Sequence, residues 1–225
     1  MIRFILTNWH LVRARAGWRA RRAPVAYVRA LFDGYAEEFD DHVMRRLSYK
    51  VPNLIRRIAE PYLVDTPRIL DLGCGTGICG ALLAPQAAQM VGIDLSQEML
   101  IEAKRKRCYD ALYHGDLTRL PPELKGQFDL AIAGDVFCYH GDLAPVLGAA
   151  AEALTSSGAL IFSLETEEGE DDWRLTRTGR FAHHPAYVTL AAEAAGFTIV
   201  TTQQATLRTQ RDVPVEGAVM LLRRA

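Results

Sequence analysis

The sequence predicts an α/β protein: a doubly wound, mostly parallel seven-stranded sheet with its last strand antiparallel, helices on both faces, and an N-terminal helical extension. Three observations carry this. From Arg68 onward, short apolar runs alternate with stretches of helical spacing. The first run leads straight into Asp71-Leu72-Gly73-Cys74-Gly75-Thr76-Gly77 and then a helix. The chain closes with two apolar runs joined too tightly for a parallel crossover, which needs about a dozen residues or more.

The elements follow in order. Ile2, Ile5, Trp9, Val12 and Ala16 step by three and four, one face of a helix. Pro24 can open a second helix, in which Val28, Leu31, Tyr35, Phe39 and Val43 keep helical spacing to about Leu47. A short helix spans Pro52–Ala59, and Pro61 and Pro67 bracket a loop. Then come a strand at Arg68–Leu72, a helix from Ile78 to Pro85 and a strand at Gln89–Asp94. Helix Gln97–Arg107, strand Ala111–Gly115, strand Phe128–Gly134, helix Leu143–Leu154 and strand Ala159–Glu165 continue the alternation. Helix Pro185–Ala195 precedes the final pair, Thr198–Leu207 and Ala218–Arg223, across a turn-rich stretch at 209–217. Residues 1–60 thus form a helical arm and lid, and residues 61–225 the sheet domain.

Composition narrows the class. With 225 residues, 49% hydrophobic and 24% charged, the chain can bury a core without staples. Fibrous and disordered classes are excluded, and no apolar run reaches the roughly eighteen residues of a membrane span. Cys74, Cys79, Cys108 and Cys138 form no C-x-x-C pair and no zinc-finger spacing, so the reading is a reduced, cytoplasmic protein without structural metal. The net charge of −1 hides an asymmetry. Residues 1–32 hold Arg3, Arg13, Arg15, Arg19, Arg21, Arg22 and Arg29 and no acid. Such an arm reads as a helix packed on the domain or a partner, as an organelle transit peptide, or as the product of a misassigned start.

The glycine motif carries the functional reading. Gly73, Gly75 and Gly77 allow a tight turn and close approach of a ligand, and the helix start behind them favours an anionic group. Asp71 at the strand end can meet an ammonium. Asp94, at the end of the next strand, can reach a ribose diol. The pattern asks for a ligand with a sugar, a carboxylate and an amine. Ile78 stands where a dinucleotide fingerprint would place its third glycine.

DLGCGTG, VGIDLSQEML, HGDL and FDLAIAGDV together resemble the class I S-adenosylmethionine-dependent methyltransferases, over residues 68 to 223. Within them the chain is most similar to small bacterial methyltransferases often found with TPR repeats. Ala30 to His42 and Thr178-Gly-Arg-Phe-Ala-His-His184 are the segments alike, and the TPR array itself is absent. A looser likeness runs to the malonyl-carrier-protein O-methyltransferases of biotin synthesis. The resemblance implies S-adenosylmethionine as cofactor, S-adenosylhomocysteine as product, and no metal. It implies that Gly73, Gly75 and Gly77 line the methionine moiety, with Asp71 near its ammonium. Asp94 would hold the ribose, Leu95 would pack on the adenine face, and Asp116 with Leu117 would meet its edge. A plain turn aspartate is the rival reading of Asp116. Tyr35 would cover the cofactor, or be a core tyrosine.

The acceptor belongs at the C-terminal ends of the central strands, where the sequence places Asp135, Cys138, Tyr139 and His140. His140 is the candidate base and Asp135 the orienting acid; the competing reading of His140 is a surface-loop histidine. After the fifth strand an acidic run precedes Trp173, Arg174, Arg177, Arg180, His183, His184 and Tyr187. This loop reads as a second substrate region whose arginines can clamp a carboxylate or phosphate, or as a solvated, mobile lid; Arg180 and His183 match the resembling subfamily and, with Tyr139, are the substrate residues. The expected partner is a small-molecule or carrier-bound acceptor, methylated at oxygen or carboxyl rather than nitrogen. Nucleic-acid methylation guided by the arm, protein methylation, and a non-catalytic interaction role are the alternatives. Strand four ends in Gly134-Asp135-Val136 and not in an Asn-Pro-Pro-Tyr type of motif, which counts against base methylation.

If Asp94 holds the ribose, Asp94→Ala abolishes S-adenosylhomocysteine binding in calorimetry while the circular dichroism spectrum and melting transition persist. Unchanged affinity would remove that assignment.

Overall fold

A computed structural model describes residues 20–210 and 212–225. The helical pattern from Ile2 to Ala16 lies outside them. The parallel part of the sheet runs β3-β2-β1-β4-β5, built from β1 (Arg68–Leu72), β2 (Gln89–Asp94), β3 (Ala111–His114), β4 (Phe128–Ala133) and β5 (Leu154–Thr166). β9 (Val213–Arg224) pairs antiparallel with β5, and β8 (Phe197–Gln210) antiparallel with β9. These are the seven strands expected. A short hairpin, β6 (Trp173–Leu175) with β7 (Phe181–His183), adds to them by pairing with Glu165 and Thr166 at the end of β5.

The period-2 alternation of each strand sends side chains to two cores. On one face Leu70, Leu72, Ala131, Leu160 and Phe162 pack under α6 (Ala144–Ala153) and α7 (Pro185–Ala194). On the other, Ile69, Leu130, Ile132 and Ile161 pack under α3 (Val51–Ala59) and α4 (Ile78–Leu83). Prolines 52, 145 and 185 open their helices, where no N–H is missed. α5 (Gln97–Lys106) starts on a side-chain cap, Ser96 Oγ accepting from Met99 N. Glu98 in its first turn and Lys104, Arg105 and Lys106 in its last complement the helix dipole. Among the described residues no helix is long and apolar enough to cross a membrane.

Three expectations change. The single helix from Pro24 to Leu47 is broken: α1 (Val25–Asp33) ends at Gly34, a 3-10 turn spans Ala36–Glu38, and α2 (Phe39–Arg45) follows. The break lets the segment bend across the sheet, with Asp33 bonding Ser96 and Asp40 bonding Thr76 and Lys106. Of the two readings of the segment after β5, the solvated, mobile lid gives way: the β6–β7 hairpin anchors it, with Leu175, Phe181 and His183 buried. The turn-rich stretch at 209–217 is mostly strand, because Thr209 and Gln210 of β8 pair with Pro214 and Val213 of β9.

Gly217 sits opposite Glu165 where β9 crosses β5. A Cβ there would lie 2.3 Å from the Leu164 carbonyl oxygen and 2.6 Å from Leu207 Cδ1. The backbone oxygen cannot swing away, so the strands must part. Gly217→Ala is expected to cost about 1–3 kcal/mol in urea unfolding, the usual scale of overpacking. A variant as stable as the parent would show that β9 has slack at this crossing.

Candidate active site

Strand order reverses between β1 and β4, and the carboxyl ends of strands at such a switch point are where open α/β sheets bind ligands. The glycine loop fills this position. Gly73, Gly75 and Gly77 all have positive φ, at 70°, 54° and 87°. Their surroundings differ. A Cβ on Gly73 would meet Val136, and one on Gly77 would meet Tyr109, whereas Gly75 has nothing within 4 Å. Gly75 is therefore the glycine with an open face toward a ligand, and the other two permit packing.

Asp94 ends β2 almost fully buried. Its Oδ2 accepts Gly75 N and its Oδ1 accepts Ser96 N, both at 2.8 Å. Each oxygen keeps a further lone pair, so the carboxylate is rigidly aimed and still able to accept. Burial raises its pKa, and the backbone donors of Ser96 and Gly75 oppose that. Asp71 is placed differently. It is buried behind the loop, with Tyr109 Oη donating to its Oδ2 at 2.7 Å. Burial pushes its carboxyl up to about 7, against the lowering by Tyr109. Leu95 is partly exposed, Leu117 is buried, and Asp116 stands between them and the arm.

The arm reaches Asp116 through Arg22, a residue the sequence reading did not single out. Arg22 Nη1 and Nη2 bond both Asp116 oxygens at 2.8 and 2.9 Å, and Thr118 N and Oγ1 add two donors to Oδ1. Although burial opposes ionisation, the Arg22 fork and Thr118 hold this carboxyl down to about 2. The arm backbone is pinned too: Ala23 N donates to Tyr139 O, while Gly141 N and Asp142 N donate to Arg21 O. His140 lies in this strapped region. Burial, then the Arg22 charge, pushes it down to about 4, so the ring is neutral near pH 7. His183 is fully buried, its Nε2 2.8 Å from the His140 carbonyl oxygen. Its Nδ1 has no hydrogen-bond partner among the described residues, and burial holds it at about 4 as well. His183 thus braces the loop after β4 through the His140 carbonyl.

Asp135 and Arg180 belong to a separate, buried charge cluster. Asp135 follows β4 in a left-handed conformation, φ 59°. Its Oδ2 accepts Arg180 Nη1 at 2.9 Å and Arg208 Nη1 at 2.8 Å, and its own N donates to Ser163 Oγ. Arg208 Nη2 also bonds Glu165. Burial alone would raise the Asp135 carboxyl, but Arg208 and Arg180 outweigh it and hold it below the usual range. Sequence reading missed Arg208 and did not assign Glu165 a role. Nothing in the local pattern sets Arg208 apart from other edge-strand cations.

Arg180 is partly accessible: a fifth of its side-chain surface is exposed, against 2% for Arg208. Among the described residues no hydrogen bond reaches its Nε or Nη2. Its guanidinium carbon lies 5.6 Å from the Tyr139 ring centroid, a cation–π contact, and Tyr139 packs edge-on against Phe32 of α1. The Arg180 charge also acts on Tyr27, Tyr35 and Tyr49. Tyr35, stacked edge-on with Phe39 and His42, is held at about 12 by burial. The structure thus brings Asp135, Tyr139 and Arg180 together, with Tyr35 near enough to feel the Arg180 charge, while His140 pairs with the arm at Arg22 and His183 meets the His140 carbonyl oxygen.

The Asp71 shift makes stability depend on pH. Its folded value, about 7, exceeds the ordinary 3.8. The contribution is complete below pH 3.8 and is lost as pH rises through about 7. Wild type is therefore expected to lose stability relative to Asp71→Asn between pH 5 and 8, read by urea unfolding. A constant difference across that range would contradict the buried placement.

Comparison with known proteins agrees with this architecture. Residues 70–162 match a family described as a methyltransferase domain. The chain is 30% identical over 212 residues to the biotin biosynthesis bifunctional protein BioHC of Saccharophagus degradans, covering 86% of this chain and 36% of that protein. It is 34% identical over 139 residues to a malonyl-[acyl-carrier protein] O-methyltransferase of Legionella pneumophila, covering 56% of this chain and 47% of that one. It therefore spans less than half the length of either relative. Among solved structures, 1,6-didemethyltoxoflavin-N1-methyltransferase of Burkholderia thailandensis shares the fold. Its TM-score is 0.68 at 20% identity, covering 90% of this chain and 91% of that one. Domain match, sheet order and glycine loop coincide: residues 70–162 carry a methyltransferase domain, in a fold shared with S-adenosylmethionine-dependent methyltransferases.

Proposed function

We propose that this chain transfers a methyl group from S-adenosylmethionine to a carboxyl oxygen of a small-molecule or carrier-bound acid. One observation carries the choice of acceptor: among the described residues Arg180, a fifth of its side chain accessible, hydrogen-bonds only through Nη1 and lies against Tyr139, and the space beside it would be the acceptor chamber. A planar carboxylate is the group that fork fits.

The residues present fit the cofactor. Gly75 has open space where a methionine end would approach, and Asp94 keeps acceptor capacity for a ribose diol. Gly73 and Gly77 would shape the loop around that end, with Asp71 supporting it from behind through Tyr109. Leu95 and Leu117 would flank the adenine, and Asp116, fixed by Arg22, would meet its edge. When bound, the cofactor supplies an activated methyl: its carbon–sulfur bond breaks with the electron pair going to sulfur as the acceptor's oxygen–carbon bond forms.

The protein's work is then binding, orientation and exclusion of water. Arg180 holds the acid, Tyr139 and Tyr35 flank it, and α1 covers the chamber. A carboxylate has no proton to lose, so no general base is required. The site is in keeping with that. Both carboxylates beside it, Asp135 and Glu165, are engaged by arginines, and His140 is turned toward Arg22 and Asp116. His183 acts by position, holding the loop that carries Tyr139 through the His140 carbonyl. The malonyl-carrier relative named above lends support to a carrier-bound acid.

The test is transfer of labelled methyl from the cofactor into a size-fractionated cell extract and onto malonyl-carrier protein. A carboxyl methyl ester releases its label as volatile methanol in mild alkali. Alkali-stable label would indicate nitrogen or phenol acceptors, and nuclease-sensitive label a nucleic acid; either overturns the proposal. Arg180→Ala is expected to lower kcat/KM by about 10- to 100-fold, in line with a charged hydrogen bond of about 1.5–3 kcal/mol.

A further inference from the structure

Arg208 arrives at the site by an irregularity. The β8–β9 register slips between Thr206 and Arg208. Leu207 and Arg208, adjacent in sequence, are consequently both buried, which a regular strand with two opposite faces does not arrange. The outer edge of β8 is closed at this point by the chain between α2 and α3, through Thr209 N to Leu47 O and Lys50 N to Leu207 O. The bulge delivers a guanidinium into a sealed place, where one of its arms meets Asp135 and the other Glu165.

The charge count gives this meaning. Asp135 and Glu165 are matched by Arg208 and Arg180, so the cluster is neutral. Arg208 engages both carboxylates through two nitrogens, whereas Arg180 gives only Nη1, at 2.9 Å to Asp135 and 3.7 Å to Glu165. Without Arg208, two carboxylates would face one arginine. Arg180 would be drawn fully into them, and the chamber floor would carry a surplus negative charge that repels an acid.

We propose that Arg208 is the positioning residue that sets selectivity for anionic acceptors: by taking up Asp135 and Glu165, it leaves the outer edge of Arg180 free. This rests on the carboxyl-acceptor reading above. Arg208 touches neither acceptor nor cofactor in this scheme; it acts through Arg180 and through the charge of the floor.

The test is calorimetric titration of the full chain, saturated with S-adenosylhomocysteine, with four probes: malonate and benzoate, and the neutral malonamide and benzamide. Wild type is expected to prefer each acid over its amide at least tenfold. Arg208→Met should lose that preference while binding S-adenosylhomocysteine and the amides as before. The charge-balanced double variant E165Q/R208M should regain most of it, which a purely structural role for Arg208 would not produce. Should Arg208→Met fail to fold, the double variant against wild type carries the comparison. Equal loss of acids and amides, or no recovery in the double variant, overturns the role of Arg208 and leaves the acceptor reading standing. A wild type that prefers no acid overturns the acceptor reading and this inference with it.

Discussion

The buried quartet of Asp135, Glu165, Arg180 and Arg208 is the constraint on which the rest of the site depends. Ions in an interior are costly unless each is paired with good geometry. Here the partners come from the loop after β4, the end of β5, the start of β7 and the outermost strand β8. Satisfying them forces several local irregularities to one spot. Asp135 takes a left-handed backbone, which a short polar side chain tolerates better than most, and Ser163 holds it there. β8 bulges. Gly217 opposite Glu165 gives up a side chain so that β9 can close against β5. These irregularities meet at one place in the sheet, beside the charge cluster.

The second constraint is the cover over the strand ends. Its two halves use different physics. Over β4 and the β6–β7 hairpin, Ala23, Tyr139, Leu175 and Phe181 form an apolar cluster with Tyr27, Val28 and Phe32 packed on it. Over β1, β2 and β3 the contacts are polar: Asp40 with Thr76 and Lys106, Asp33 with Ser96, and Arg22 with Asp116. Apolar burial is not recovered on exposure to water, whereas polar groups regain water when they separate, and half-exposed ion pairs are worth little. The side over the glycine loop is therefore the cheaper one to part, and the side over Arg180 the firmer.

Much of this was legible in the sequence, for definite reasons. The parallel strands are read by short apolar runs, and the glycine loop by its spacing directly after one of them. The final antiparallel pair follows from the shortness of its connection. What was not legible depends on distant partners. Gly34 interrupts a helical pattern that Val28 to Val43 otherwise sustain, and the bend follows loops far along the chain. Three-residue strands such as Trp173–Leu175 are too short for alternation to register. Pro214 and Gly217 look like turn residues, yet the pairing of β9 with β5 and β8 overrides them. Arg208 looks like any cation on an edge strand until the register slip turns it inward. The arginine-rich start drew attention as a block, whereas the geometry gives one of its members, Arg22, a specific partner.

Asp71 and Asp94 show why a motif alone underdetermines roles. Both end parallel neighbours, and both resemble ligand-binding acids in sequence. In the paired register Asp71 lies opposite Gly92, and the absent side chain there makes room for the Tyr109 ring, which also fits against Gly77 and Gly80. Tyr109 then takes one oxygen of Asp71, and the acid becomes part of the support beneath the loop. Asp94 lies one strand outward and two backbone donors reach it, one from the loop itself. Backbone donors fix a carboxylate without covering it, whereas a tyrosine ring covers what it bonds. The glycines that make the motif recognisable are thus partly there to admit Tyr109. Asp94 is thus held by backbone donors and Asp71 by a side-chain donor on one of its two oxygens.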